Sequence, residues 1–153
     1  MGFFDLRKEL PGLMPHAVQW AEATAEYAAM SGRPLEAAEQ ALARRVGVVQ
    51  PDKIRLLVVD QMPYPEHPLL QVAAMATDFL GPQSLGLTLG HTVVVRRGHE
   101  SARLYSHEFR HVHQYEQAGS IAAFLPVYLE QLVEDGYADA PLEQDARAHE
   151  IAD

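Results

Sequence analysis

Ten glycines and ten prolines punctuate this 153-residue chain, and their spacing leaves room for short elements only. The first stretch between breakers runs from about residue 14 to Ser31, with Val18, Ala21, Ala25, Ala28 and Ala29 near helical spacing. It predicts an amphipathic helix with its apolar stripe against the core. Ser31-Gly32 stops it. Pro34 suits the first turn of a second helix to about Val46, with Leu35, Ala38, Ala41 and Leu42 on one face. Residues 54–59, Ile-Arg-Leu-Leu-Val-Val, read as a mostly buried strand. Pro63, Pro65 and Pro68 then make a stiff, extended connection that cannot be a central strand. A helix is expected from Leu69 to Phe79, closed by Gly81-Pro82. Residues 85–89 and 92–96, joined by Gly90-His91, form a hairpin.

The last third is helical. A helix from about Glu100 ends at Gly119, which suits the left-handed position past a helix end. Ser120 caps the next helix, whose Ile121, Phe124, Leu125, Tyr128, Leu129, Leu132 and Val133 trace one apolar face. Pro126 either kinks that helix or marks its start, and Gly136 closes it. Pro141 opens a last helix running to the C-terminus. The whole reads as one α+β domain over residues 1–153. A helical part covers residues 1–50; residues 51–153 hold a small antiparallel or mixed sheet packed against the helix of residues 100–119.

Charge and composition exclude several functions. The sequence has no cysteine, so a transition metal must be held by histidine and carboxylate. Of the net charge of −9, residues 99–153 contribute three Lys/Arg against eleven Asp/Glu, a net of −8. Such a surface repels phosphate backbones and argues against nucleic-acid binding; it favours cations or basic segments. No apolar stretch approaches the roughly 18 residues a membrane helix needs. The first ten residues carry charges where a secretion signal needs apolar ones. The expectation is a soluble cytoplasmic protein that neither spans nor binds membranes. Its oligomeric state is not legible.

The chemistry concentrates in residues 106–116, Ser-His-Glu-Phe-Arg-His-Val-His-Gln-Tyr-Glu. His107, Glu108 and His111 form the pattern H-E-x-x-H, which a composition of eight His and thirteen Glu produces by chance in roughly 3% of chains. On a helix the two histidines are neighbours about 6 Å apart at Cβ, so both imidazoles reach one Zn2+ ion. Glu108, one residue on, faces a metal-bound water rather than the metal. His113 and Glu116 point elsewhere, since steps of two and five residues rotate about 200° and 140° around a helix. The best third ligand is Glu143, with Ala146 one turn on, small enough for two helices to approach closely. Asp139, Asp145 and His149 are the alternatives.

H-E-x-x-H followed by a helical E-x-x-A resembles the gluzincin class of zinc metallopeptidases. That resemblance implies His107, His111 and Glu143 as zinc ligands and Glu108 as the general base. More narrowly, residues 53–117 resemble small bacterial metallopeptidase domains associated with toxins and contractile injection systems. Those read His-Glu-Leu-x-His-Val-x-Gln-Gln, where this chain has Phe109 and Tyr115 at two non-ligand positions.

Amide hydrolysis also needs a donor for the developing oxyanion. Tyr137 is the first candidate, with Tyr105, Tyr128, His91 and His149 as rivals; Arg110 could orient a substrate carboxylate. In zinc peptidases of this plan a sheet edge, here residues 92–95, pairs with the extended substrate. The loop of residues 63–68 could border the cleft. The expected activity is zinc-dependent hydrolysis of peptide or protein substrates, with the acidic last third suited to basic ones. The alternative is a zinc-binding or metallopeptidase-shaped interaction module without turnover.

Overall fold

The computed structural model describes residues 5–153 and has an α+β architecture, with six α-helices and a four-stranded mixed sheet among those residues. Helix α1 (Leu6–Ser31) starts earlier than its apolar stripe predicts. Asp5 caps it by accepting from Lys8 N, and the helix continues through Pro11 and Pro15. Each proline removes one amide donor, but the added turns bury Leu10 and Leu13, which a start near residue 14 would leave in water.

Pro34 does not open a helix. With Arg33 it forms a two-residue strand, β1 (Arg33–Pro34), antiparallel to β2 (Arg55–Val59) at the sheet edge, where a missing amide donor is tolerated. Helix α2 (Ala37–Arg45) begins after it, where the Glu39 carboxylate accepts from Glu36 N at 2.8 Å. Ala38 and Ala41, expected on its apolar face, are exposed; Leu35, Ala43 and Val46 carry the burial. In β2 only Leu56 is fully buried, so the strand is more exposed than its sequence suggests.

The connection from β2 passes through α3 (Pro68–Ala76), which stops short of Phe79 because Thr77 turns its hydroxyl back onto Ala73 O and Asp78 adopts φ +58°. The chain then forms β3 (Gly86–Leu89) and β4 (Thr92–Arg96), a hairpin turning at Gly90 with φ +66°. β4 lies parallel to β2, giving the order β1-β2-β4-β3. Residues 92–95 are therefore central rather than an edge. The crossover brings β4 against β2 and leaves β3 outermost.

The side-chain alternation of β4 divides the core. Val93 and Val95 join Leu56, Phe109 and Val112 on the face covered by α4 (Ala102–Ala118). Val94 joins Leu87 and Leu89 on the opposite face with α1 and α5 (Ile121–Asp135). Ser101 caps α4, and Gly119 ends it at φ +100°. Pro126 lies inside α5, which starts at its Ser120 cap. Helix α6 (Pro141–Ala148) opens with Pro141 as expected but stops at Ala148. The following residues fold back on α4, where Ile151 N donates to Ser106 Oγ and Ala102 N to Asp153 Oδ1. No helix among the described residues is long and apolar enough to cross a membrane.

Candidate metal centre

Helix α4 presents His107 and His111 on its buried face, one turn apart. Helix α6 packs across α4 with Ala146 fully buried (0% exposed) and brings Glu143 to the two imidazoles. His107 Nε2 lies 3.1 Å from Glu143 Oε1, and His111 Nε2 lies 2.9 Å from Glu143 Oε2. One ligand atom from each of the three residues falls within 4.8 Å of the others, and all three side chains are buried. They form a group that can hold a metal ion.

The outer ring nitrogens fit that reading. Gln114 Nε2 donates to Leu142 O and to Asp145 Oδ2, both at 2.9 Å, so its Oε1 is the atom 2.7 Å from His111 Nδ1. An amide oxygen only accepts, so His111 carries its proton on Nδ1. His107 Nδ1 lies 2.9 Å from Glu150 Oε2, and a carboxylate likewise makes it the donor. Both Nε2 atoms are thereby turned towards Glu143 as the coordinating positions, each imidazole braced from behind.

Without a cation between them, charge must balance through protons. Burial disfavours an imidazolium at His107, but hydrogen bonding to Glu143 and the charges of Glu108 and Glu143 outweigh it and push its pKa up to about 9. His111 moves in the same direction, hydrogen bonding to Glu143 and the Glu143 charge again outweighing desolvation. Glu143 is held well below the usual carboxylate range: burial opposes ionisation, and hydrogen bonds from His107 and His111 prevail. A divalent cation supplies the same compensation with neutral imidazoles.

Glu108 stands beside this group, outside it. Its Oε1 accepts from Thr88 Oγ1 at 2.8 Å, and Thr88 also donates to Glu108 O at 3.1 Å, tying the carboxylate to β3. Oε2 accepts no hydrogen bond among the described residues. Glu108, His111, Tyr137 and Glu143 wall a chamber of about 30 Å3, room for about two waters. Glu108 and Tyr137 also line an open cleft of about 930 Å3.

The other candidates lie elsewhere. Tyr128 donates to Glu143 Oε2 at 2.7 Å and steadies that carboxylate. Tyr105 stacks on Phe109 in the other half of the core. His91 meets Glu116, which also receives Val49 N and Gln50 N. His113 meets Gly47 O on the far side of α4, where the helical rotation puts it. His149 turns back to Asp145 O, Asp145 pairs with Arg110, and Asp139 is exposed. The loop of residues 63–68 borders a separate depression beside His16 and Trp20; residues 78–86 border the cleft instead.

Gln114, Tyr128 as a brace, Thr88 and Glu150 are the functional residues that sequence reasoning misses. Gln114 was findable, being three residues from His111 on the same face of α4. Glu150 lies just past the end of α6, where no helical spacing points to it. Thr88 and Tyr128 carry no such signal. Comparison of the chain with models of known protein families, with curated proteins and with solved structures finds no match.

Proposed function

We propose that this chain is a zinc-dependent hydrolase of peptide bonds, with His107, His111 and Glu143 as metal ligands and Glu108 as the general base. One juxtaposition carries the reading: the three ligand atoms lie within 4.8 Å of one another, and Glu108, whose Oε2 accepts no hydrogen bond among the described residues, shares a chamber with two of the ligands, His111 and Glu143. A purely structural metal has no use for that carboxylate. Two imidazoles and one carboxylate suit zinc, and a third-ligand glutamate leaves one position open.

Zinc held by His107, His111 and Glu143 would supply a water of lowered pKa and would polarise the substrate carbonyl. Glu108 takes a proton at Oε2 and delivers it to the leaving amine nitrogen. Thr88 holds the carboxylate by Oε1 throughout, so the proton moves without the side chain swinging. Tyr137 supplies an O–H donor for the developing oxyanion. Burial, and then the Glu143 charge, push its pKa up, which favours the protonated, donating form. Tyr128, Gln114 and Glu150 do no chemistry; they fix Glu143, His111 and His107.

The test is Glu108→Gln, which keeps the size of the side chain and removes the base. It retains one zinc per chain by mass spectrometry and loses peptide hydrolysis by about 10²-fold or more. Unchanged turnover would remove Glu108 as the base. Glu143→Ala loses zinc, and unaltered metal affinity would remove it as a ligand.

A further inference from the structure

The cleft beside Glu108 is chemically lopsided. One wall is built by the end of α3 and the segment leading into β3, with Met75, Phe79, Leu80 and Leu85, and Leu104 of α4 adjoins it. Helix α3, Pro-Leu-Leu-Gln-Val-Ala-Ala-Met-Ala, holds no charged residue. It turns Leu69, Val72 and Met75 to solvent at 43%, 44% and 57% exposure, a stripe at three-residue spacing that ends at the cleft. Phe79 and Leu80 also wall an apolar cavity of about 50 Å3 beneath α3, so the apolar lining continues inwards from the cleft.

Charge gives the cleft no comparable pull. The acidic residues of the last third are largely engaged within the fold: Glu116 with Val49, Gln50 and His91, Asp145 with Arg110, and Asp153 with the start of α4. Glu150 faces His107 and Arg103. The cleft lining itself mixes signs, with Asp78, Glu108 and Glu150 alongside Arg103 and His99.

We propose that the protein selects substrates carrying a large apolar side chain next to the bond presented to Glu108, seated against Met75, Phe79 and Leu85. The proposal rests on the metal-hydrolase reading and names its substrate class. Covering a leucine or phenylalanine side chain on this wall removes apolar surface from water on both partners, whereas an aspartate there meets no cation of the wall and a lysine meets only the exposed, solvated carboxylate of Asp78.

The test needs no turnover. Zinc-loaded protein is titrated calorimetrically with acetohydroxamate, which has no side chain, and with four peptidyl hydroxamates differing only in a leucine, phenylalanine, aspartate or lysine side chain. Leucine and phenylalanine bind at least about tenfold tighter than aspartate and lysine. Met75→Glu combined with Leu85→Glu, both at exposed positions, brings the four within about threefold and leaves acetohydroxamate unchanged. Equal binding of the four by the unaltered protein, or a preference for lysine, overturns the apolar subsite and leaves the metal centre standing. Failure of acetohydroxamate and all four to bind protein that carries one zinc per chain overturns both.

Discussion

Gly86 carries a hydrogen where any other residue would place a Cβ 2.8 Å from Glu108 Oε2 and 2.9 Å from its Cδ. The missing methyl is what lets the carboxylate lie between β3 and α4. The three atoms nearest to a Cβ at Gly86 all belong to the Glu108 side chain and none to backbone, so in Gly86→Ala the protein folds and binds zinc while Glu108 is pushed off Thr88. Hydrolysis falls about tenfold or more with zinc content unchanged, and activity equal to the parent would show that the base has slack. His113→Ala, on the opposite side of α4, leaves zinc affinity within about twofold by competitive chelator titration. Helical rotation made that difference between His111 and His113 legible from sequence. It also made Gln114 visible in principle, but not the reason for it: its two amide protons go to Leu142 O and Asp145, on a helix 28 and 31 residues away. Tyr128 was legible as core and not as a brace, because an apolar stripe does not say where a hydroxyl points.

Elements were legible where local chemistry decides them. Ser120 caps, Gly119 and Gly136 terminate, and Pro141 opens a first turn, each by a mechanism confined to a few residues. Boundaries failed where tertiary burial outweighs local preference, as in α1, which runs through two prolines to bury Leu10 and Leu13. Strand order failed for a related reason. The hairpin of β3 and β4 is local, but which of its strands meets β2 depends on a crossover through α3 that no spacing encodes. The approach of α6 to α4 is the most exacting element-level feature, and Ala146 sets it. Ala146→Leu over-packs that contact, costs about 1–3 kcal/mol in chemical denaturation, and weakens zinc binding by moving Glu143. Parent-like stability and affinity would mean that the two helices have room to spare.

At the scale of the whole molecule, metal content and pH are one variable. In the metal-free protein the pKa of His107 stands at about 9 against an ordinary 6.5. A folded-state pKa raised above the unfolded value adds stability that is complete below about 6.5 and lost as pH rises through about 9. The melting temperature of metal-free protein therefore declines across that window. A fixed zinc concentration that is 100 times the dissociation constant at pH 9 adds about 2.7 kcal/mol there and less at lower pH, where binding must displace imidazole protons, so it flattens the decline. A metal-free protein whose melting temperature is level from pH 6.5 to 9 would contradict the charge balance assigned to the cluster.

Three supports of the proposed metal site lie within one short stretch of chain: Glu143 itself, the Leu142 and Asp145 groups that aim Gln114, and the Glu150 carboxylate behind His107. Detachment of eight-residue α6 and the turn after it would withdraw all three at once. Metal release and the opening of this stretch are then a single event, with one rate. Amide hydrogens of α6 should exchange with solvent at the pace at which a chelator strips the metal, and both should slow together when the site is filled. Exchange in α6 faster than metal loss would separate the two events.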